Sequence, residues 1–345
     1  MPANIRTAII GFGVSGRVFH APLLAANPDF EISMIATSNP ERQQQAARAY
    51  PRAAIVPSYQ EVLESAENLD LLVIGTPPPT HYEIARAALE HGLHVVVDKP
   101  FVVRSAQGEE LIALAGQRGL TLTVYQNRRW DGDFLTVKQL LAEKILGQVH
   151  SFESRFEWFK PEGMRSWKAK LTAQDGGGIL YDLGTHLIDQ AVELFGPVES
   201  MQSSLRALTE KVTAEEDAHL VLNHHSGTQS RLTMSSLNAS PGPRFHVAGS
   251  LGAYCTEGLD PQEPQLASGM GVEHAEYGRT PESAWGQMVL GHDAHKVPTE
   301  PGDYPQFYRL LRNCLRSNGP IPVDPADSLS VLRLIEDMHH GSTSG

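Results

Sequence analysis

Three titratable residues interrupt an otherwise apolar stretch, YDLGTHLID: they are Asp182, His186 and Asp189. Their spacing of four and then three residues puts all three side chains on one face of an α-helix. Burying charge without a partner is costly, so such a face needs a reason. Histidine titrates near neutral pH, and a carboxylate one turn away can orient its ring or accept hydrogen bonds from a substrate. The pattern predicts a helix whose polar face carries acid–base chemistry.

A glycine-rich turn follows the first apolar run, in the sequence AIIGFGVSGRVFH. After a strand and before a helix, G-x-G-x-x-G predicts a dinucleotide-binding loop, because the glycines allow a tight turn and a close approach of the pyrophosphate. The free N–H groups of the following helix then face the phosphates. A glycine turn without a ligand is the alternative. The predicted loop residues are Gly11, Phe12, Gly13, Val14, Ser15 and Gly16.

The second apolar run ends in ATSNPERQ. NAD-binding sheets usually have an acidic residue here for the ribose 2′-hydroxyl, but this chain has Ser38 and Asn39, with Arg42 one turn later. A hydroxyl, an amide and a guanidinium suit a 2′-phosphate, which favours NADP(H) over NAD(H). In the alternative, Arg42 is a solvated helix residue and Glu41 supplies the missing acid.

A lysine ends the fifth predicted strand, in HVVVDKPF, where ligands of open α/β sheets bind. The fourth strand ends beside it in GTPPPTHYE. The residues predicted here to face the cofactor are Thr76, Pro77, His81, Asp98 and Lys99. His186 taken alone favours a satisfied histidine in a helix–sheet interface. Asp182, the glycine run DGGG before the helix and Lys99 together favour a functional role.

Two pairs of residues are weaker candidates. Asn127 and Arg128, after the sixth strand, touch nicotinamide or substrate, or else belong to a domain-crossing linker held by ion pairs. Trp167 and Lys168 precede the polar helix and are candidates for walling the nicotinamide and binding hydroxyls. Several histidine pairs, such as His224 with His225, resemble metal ligands only faintly, and neighbouring strand residues point to opposite faces. No metal site is predicted.

The elements that position these residues change in character along the chain. The first 127 residues alternate buried apolar runs with helical segments, which predicts an α/β fold with a parallel sheet. After about residue 145, period-two runs predict long strands of a mostly antiparallel sheet with one covered face, including a hairpin that turns at Ser226-Gly227. GGILYDLGTHLIDQAVELFG is predicted to be one helix, residues 258–303 an irregular loop, and two helices close the chain. The predicted domains are 1–127 and 128–345.

Composition limits the function classes. A length of 345 residues predicts about two domains, and a net charge of −12 without a basic run disfavours nucleic acid or an anionic membrane surface as partner. The two cysteines indicate no disulfide framework, which favours reduced thiols in the cytoplasm. No apolar window is long enough for a transmembrane helix.

The motifs GFGVSG, TPPPTH, DKP and DLGTHLID together resemble the glucose–fructose oxidoreductase/inositol dehydrogenase family, Gfo/Idh/MocA. GVSGRVFHAPLL and YQNRRWDGDF resemble its branch of NADP-dependent scyllo-inositol dehydrogenases. The family's Glu-Lys-Pro is Asp98-Lys99-Pro100 here, which leaves the contact of the shorter acid open. The resemblance implies a Rossmann domain, a doubly wound parallel sheet, followed by a large open-faced sheet through which two or four copies pair. It also implies that Lys99 is the catalytic lysine and that Asp182 and His186 are the D-x-x-x-H pair.

The sequence therefore favours an NAD(P)-dependent dehydrogenase that acts on a small cyclic polyol or sugar. His186 would take the hydroxyl proton, Lys99 would hold the developing alkoxide, and Asp182 would bind hydroxyls or fix the imidazole. A dinucleotide- or sugar-sensing regulator and an NAD-dependent glycosidase of the same fold are the alternatives. The predicted substrate-binding residues are Lys99, Arg128, Trp167, Lys168, Asp182 and His186.

Overall fold

The computed structural model describes residues 4–161, 171–210 and 212–341, and the chain forms two compact units. The first unit comprises Met1–Asn127, Gln262–Tyr277 and Tyr304–Ser330, and the second comprises Arg128–Pro261, Gly278–Asp303 and Val331–Gly345. The expected boundary after residue 127 coincides with the end of the first segment. Residues 262–277 and 304–330 group with the first unit, whereas the sequence had placed them in the second domain.

The first unit contains a parallel sheet of six strands in the order β3-β2-β1-β4-β5-β6. This is the strand order of the Rossmann fold, with ligands expected at the carboxyl ends of the strands. The predicted apolar runs are strands because both faces of the sheet are covered; all four residues of β4 are buried. The strands are β1 (Ile5–Ile10), β2 (Phe30–Ala36), β3 (Ala54–Val56), β4 (Leu71–Ile74), β5 (His94–Asp98) and β6 (Leu122–Tyr125).

Helices follow the strands as the alternating pattern predicts. The helix after the glycine loop begins as a π-helical turn, Ser15–His20, and continues as α1. Gly119 ends α5 with φ of 66°, the left-handed conformation that favours glycine. The helices of this unit are α1 (Ala21–Ala25), α2 (Pro40–Ala49), α3 (Tyr59–Leu63), α4 (His81–Glu90), α5 (Ser105–Arg118), α8 (Gln262–Ala267) and α9 (Pro305–Ser317).

The second unit contains an eight-stranded sheet in the order β14-β13-β12-β11-β7-β10-β9-β8. Only β7 and β10 pair in parallel, so the sheet is mostly antiparallel, as predicted. Its elements are α6 (Gly132–Ala142), β7 (Val149–Glu157), α7 (Thr185–Phe195), β8 (Val198–Arg206), β9 (Asp217–His224), β10 (Gln229–Ser235), β11 (Phe245–Gly249), β12 (Gly252–Thr256), β13 (Gly286–Leu290) and β14 (Asp293–Val297). The last helix of the chain is α10 (Pro325–Gly341).

Helix α7 covers one face of this sheet. The rings of Phe195 and Phe152 lie 5.2 Å apart, centroid to centroid, and a Cβ on Gly184 would lie 3.2 Å from Met234 Sδ. On these strands the alternate residues from Phe152 to Phe156 and from Ser230 to Met234 are buried, so the apolar alternation predicted from the sequence faces the helix. The predicted hairpin is present, with Gly227 at φ of 86° between β9 and β10.

One prediction about the elements was wrong. Residues 258–303 are not one irregular loop, because they contain α8 and the hairpin β13–β14, which extends the sheet at its edge. The helix predicted over GGILYDLGTHLIDQAVELFG is confirmed; its first turns are a π-helical segment, Leu180–Gly184, which continues without a break into α7 and ends before Gly196. Within the described ranges, no helix is both long and apolar enough to cross a membrane.

Candidate functional site

The glycine loop adopts the tight turn that its motif predicts. Gly11 has φ of 92°, and a Cβ there would lie 2.7 Å from the Gly75 carbonyl oxygen, so only glycine fits. The Ser15 hydroxyl is buried and has no hydrogen-bond partner in the described part of the chain. Gln126 follows β6 and is 2% exposed, and its side-chain oxygen is likewise buried without a hydrogen-bond partner in the described ranges. Unsatisfied buried polar atoms are costly, and a dinucleotide would supply partners for them. These residues therefore fit the cofactor that the fold implies.

Arg42 lies beside this loop. A Cβ on Gly13 would be 3.6 Å from Arg42 Nη1, so the guanidinium faces the turn. Asn39 Oδ1 accepts a hydrogen bond from the Arg42 backbone N–H at 3.0 Å and so caps α2. Ser38 and Arg42 are exposed. The predicted 2′-phosphate residues thus surround the start of α2, and the Asn39 side-chain oxygen is already used by the helix.

His81 connects the loops that follow β4 and β5. The side chain is fully buried, with Nδ1 at 2.9 Å from the Pro100 carbonyl oxygen and Nε2 at 2.8 Å from that of Thr76. Asp98 Oδ1 accepts a hydrogen bond from the Lys99 backbone N–H at 2.7 Å. His81 thereby holds the backbone next to Lys99, and its ring nitrogens are occupied by that backbone rather than presented to a ligand. Pro77 is exposed on the first of the two loops.

A neutral polar pair is buried in the same unit. His20 Nδ1 lies 2.7 Å from the hydroxyl of Tyr308, and the His20 ring centroid lies 4.4 Å from that of Tyr125. Burial lowers the pKa of His20 to about 4, against a smaller opposing effect of Asp98, and burial raises the pKa of Tyr308. Tyr304 and Tyr308 are fully buried, as expected for core residues.

The polar helix of the second unit carries Asp182 in its π-helical segment and His186 in the first turn of α7. His186 is 4% exposed, and its ring meets Phe156 edge-on at 6.3 Å. Glu215 fixes the start of the helix, because its Oε1 accepts a hydrogen bond from the Leu180 N–H at 3.1 Å. An anion at this end of the helix is also favourable to the helix dipole.

Asp189, the third residue of the predicted polar face, is held in an ion pair with Arg129. Its carboxylate accepts two hydrogen bonds from Arg129, both of 2.8 Å, and Arg129 also pairs with Glu193 at 3.3 Å. Gln190 Nε2 donates to the Arg128 carbonyl oxygen at 2.8 Å. Asp189 and Gln190 therefore bind α7 to the segment after β6, which places His186.

A buried arginine that the sequence interpretation missed reinforces this attachment. Arg244 is 2% exposed and donates to Gln190 Oε1 at 2.8 Å and to Ser154 Oγ at 2.6 Å. Its guanidinium lies 4.1 Å from the centroid of Phe156 and 3.3 Å from Asp133. Burial lowers the pKa of Arg244, although the nearby carboxylate of Asp133 raises it in part. The sequence SPGPRF indicates a loop, and only the position of Arg244 directly before the apolar β11 could have signalled burial.

Arg128 belongs to the same cluster. It pairs with Asp131 at 3.2 Å, and its guanidinium lies 4.8 Å from the centroid of Phe156. Burial raises the pKa of Asp131 well above its usual range, in spite of Arg128. Arg128 therefore has an ion-pair partner, Asp131, within the segment that follows β6.

The remaining candidates are placed as follows. Asn127 is 6% exposed at the end of the first segment of unit one. Trp167 and Lys168 lie outside the described residues. Across the described ranges, no group of three or more His, Cys, Asp and Glu is arranged to hold a metal ion. The first unit brings together the glycine loop, Arg42, Thr76 and Lys99 near adjacent strand ends. The second brings His186, Arg128 and Arg244 around Phe156, with Asp182 one helical turn before His186.

Comparison with known proteins identifies both parts of the chain. Residues 5–126 match the model of an oxidoreductase family with an NAD-binding Rossmann fold, and residues 134–255 match that of the GFO/IDH/MocA C-terminal domain. An uncharacterized oxidoreductase of Escherichia coli K12, YdgJ, is 39% identical over 97% of this chain and 96% of its own length. The scyllo-inositol 2-dehydrogenase (NADP(+)) IolW of Bacillus subtilis 168 is 32% identical over 96% of this chain and 92% of its own length.

A solved structure agrees with these relatives. The oxidoreductase yvaA of Bacillus subtilis superposes with a TM-score of 0.92 and 32% identity, covering 99% of this chain and 97% of its own. Sequence, domain matches and fold thus agree over nearly the whole length. The chain belongs to the Gfo/Idh/MocA family of NAD-binding oxidoreductases.

Proposed function

We propose that the protein transfers a hydride between NADP(H) and a secondary alcohol or ketone of a cyclic polyol or sugar of the inositol type. The observation that carries the proposal is the deeply buried His186, one turn after Asp182, on a helix held at its start by Glu215 and in its middle by Arg129. The other unit of the chain has a loop that fits a dinucleotide. The relative IolW, named a scyllo-inositol 2-dehydrogenase that uses NADP(+), supports the choice of substrate and cofactor.

The chemistry divides among three side chains. Bound nicotinamide supplies the acceptor or donor of the hydride. His186 takes the hydroxyl proton during oxidation and returns it during reduction, because imidazole titrates near neutral pH. The Lys99 ammonium stabilises the developing alkoxide, and Asp182 accepts hydrogen bonds from substrate hydroxyls. NADP(H) is favoured over NAD(H) by Arg42 beside the glycine loop and by the lack of an acid at Ser38 and Asn39.

The proposal is tested with inositols and sugars, each offered with NADP and with NAD, by following the absorbance of the reduced nicotinamide. We expect turnover with a cyclic polyol and NADP. His186→Asn and Lys99→Met should each lower kcat at least about 100-fold while dinucleotide binding stays intact. The exposed His225→Asn serves as the control. Near wild-type turnover in either variant would refute the assignment, and no turnover with any polyol would favour a sensing regulator.

We further propose that copies of the chain pair through the sheet face opposite α7 as a homodimer or homotetramer. That face carries charged side chains in ion pairs, including Glu153 with Arg155 at 3.0 Å and with Arg231 at 3.5 Å. The mass in solution, measured by light scattering, tests this assembly. The double substitution Glu153→Lys/Arg231→Glu preserves the net charge and reverses the charges on this face. It should lower the mass in solution while the melting temperature of the chain stays close to that of the wild type.

A further inference from the structure

Helix α7 and strand β7 run antiparallel with matched lengths. The ring centroids of His186 and Phe156 lie 6.3 Å apart, and those of Phe195 and Phe152 lie 5.2 Å apart. Residue numbers therefore rise along the helix in the direction in which they fall along the strand. Nine helical residues rise about 13.5 Å, and four strand residues span about 13 Å. A position on the strand can therefore be assigned to a level on the helix.

Trp158 lies two residues beyond Phe156, and alternation places it on the helix-facing side. The backbone N–H of Trp158 donates to the Ser235 carbonyl oxygen at 3.0 Å, which continues the pairing of β7 with β10. Glu157 binds Asn238 and Gly242 on the other face, in keeping with the alternation. Two strand residues span about 6.6 Å, which corresponds to about four residues of helix before His186. Trp158 thus lies at the level of Asp182.

The indole N–H of Trp158 is buried and has no hydrogen-bond partner in the described part of the chain. Indole nitrogen is only a donor, so its missing partner is an acceptor such as an alcohol or carbonyl oxygen. Lys160 lies with its Nζ 4.7 Å from the indole centroid, which adds positive charge near this position. The ammonium favours an electron-rich oxygen as the partner of the neighbouring N–H.

We propose that Trp158 Nε1 donates a hydrogen bond to a second hydroxyl of the polyol, the one that in turn donates a hydrogen bond to the Asp182 carboxylate. A hydroxyl is both donor and acceptor, and a carboxylate beside an N–H satisfies both of its functions. This hydroxyl lies one helical turn from the hydroxyl that His186 handles. Trp158 is then a specificity-determining residue for polyols over simple alcohols. The inference rests on the proposed function.

The test compares Trp158→Phe with the wild-type enzyme on an active polyol and on its mono-deoxy analogues. Phenylalanine keeps the aromatic ring and removes the N–H. We expect kcat/KM for the full polyol to fall about five- to tenfold, the cost of one hydrogen bond. For the deoxy analogue that lacks the recognised hydroxyl, variant and wild type should be equal. Trp158→His, which returns an N–H, should recover part of the activity.

Two controls separate binding from structure. Trp285 donates its Nε1 to the Thr280 carbonyl oxygen at 3.1 Å, so Trp285→Phe removes a structural indole N–H in the same unit and should not change selectivity. Melting temperature and NADP affinity of Trp158→Phe should match those of the wild type. Equal losses on the full and every deoxy polyol, or no loss at all, would overturn the inference. A wild-type enzyme inactive on all polyols would instead overturn the proposed function, and this inference with it.

Discussion

At the scale of single residues, Arg42 is expected to decide between the two nicotinamide cofactors. Its guanidinium faces Gly13 from the exposed start of α2 and has room for a phosphate. Arg42→Gln should raise KM for NADP about tenfold or more, because a charge-assisted hydrogen bond is lost, and should leave KM for NAD nearly unchanged. Steady-state kinetics with both cofactors measure the ratio.

Two further substitutions on α2 make this result specific. Arg48→Gln, in the last turn of the same helix, removes an equal charge away from the loop and should change neither KM. Glu41→Gln tests the alternative in which that acid binds the ribose of NAD. A rise in KM for NAD with Glu41→Gln, together with no effect of Arg42→Gln, would reverse the assignment of the cofactor.

Residue types with a fixed spacing could be found from the sequence, whereas residues that meet only in the folded chain could not. The glycine loop and the pair Asp182 and His186 are local patterns. Arg244 and Glu215 contact the polar helix from 54 and 35 residues away, and no local pattern announces those contacts. Trp158 could have been placed, because the period-two run that contains Phe156 continues through it.

At the scale of elements, α7 is attached to the segment after β6 by an almost fully buried ion pair. The Arg129 and Asp189 side chains are 10% and 2% exposed. Asp189→Leu should lower the free energy of unfolding by about 3–5 kcal/mol, since it leaves a buried guanidinium with less compensation. The double variant Arg129→Met/Asp189→Leu should recover most of the loss, because no charge is then stranded. Denaturant unfolding monitored by tryptophan fluorescence measures both.

The exposed pair of Arg86 and Glu90 on α4 provides the comparison, at 3.1 Å but in solvent. Glu90→Leu should leave the unfolding midpoint nearly unchanged, because exposed pairs contribute little. If the Asp189 and double variants were equally destabilised, the attachment would depend on shape rather than charge. That outcome would remove the electrostatic explanation for the position of α7.

The type of an element could be predicted from the sequence where the spacing of its apolar residues fitted a strand and not a helix, or a helix and not a strand. Strands buried on both faces and strands with one covered face were both recognisable, and so was the turn at Gly227. The hairpin β13–β14 was missed because most of its outer strand is exposed, so no apolar alternation marks it. The π-helical segment was missed because an apolar run with helical spacing does not distinguish i→i+4 from i→i+5 hydrogen bonding.

At the scale of the whole molecule, the tryptophans distinguish the two units. The tryptophans in the described part of the chain, Trp130, Trp158 and Trp285, belong to the second unit. Tryptophan fluorescence therefore follows the unfolding of that unit, whereas far-ultraviolet circular dichroism follows both. The assignment of residues 262–277 and 304–330 to the first unit came from long-range contacts, which no local reading of the sequence supplies.

The first unit should lose stability in acid because of its buried histidines. Burial lowers the pKa of His20 to about 4 and also lowers the pKa of His94, whereas an unfolded histidine titrates near 6.5. The unfolded chain thus binds more protons below about pH 6.5, so the free energy of unfolding falls as the pH drops toward 4. His20 alone should contribute a loss of about 3 kcal/mol over that window.

The variant His20→Gln isolates this contribution. It should be less stable than the wild type at pH 7.5, because the contact with Tyr308 is disturbed, but its stability should fall less between pH 6.5 and 4.5. The exposed His91→Gln in the same unit should follow the wild-type profile. The raised pKa of Asp131 has the opposite effect, because it favours the folded state as the pH falls, and Asp131 belongs to the second unit. Urea unfolding is therefore followed both by circular dichroism, which reports on both units, and by tryptophan fluorescence, which reports on the second. Parallel profiles for wild type and His20→Gln would show that His20 is not the group that titrates, and the acid sensitivity would then have to come from another group such as His94.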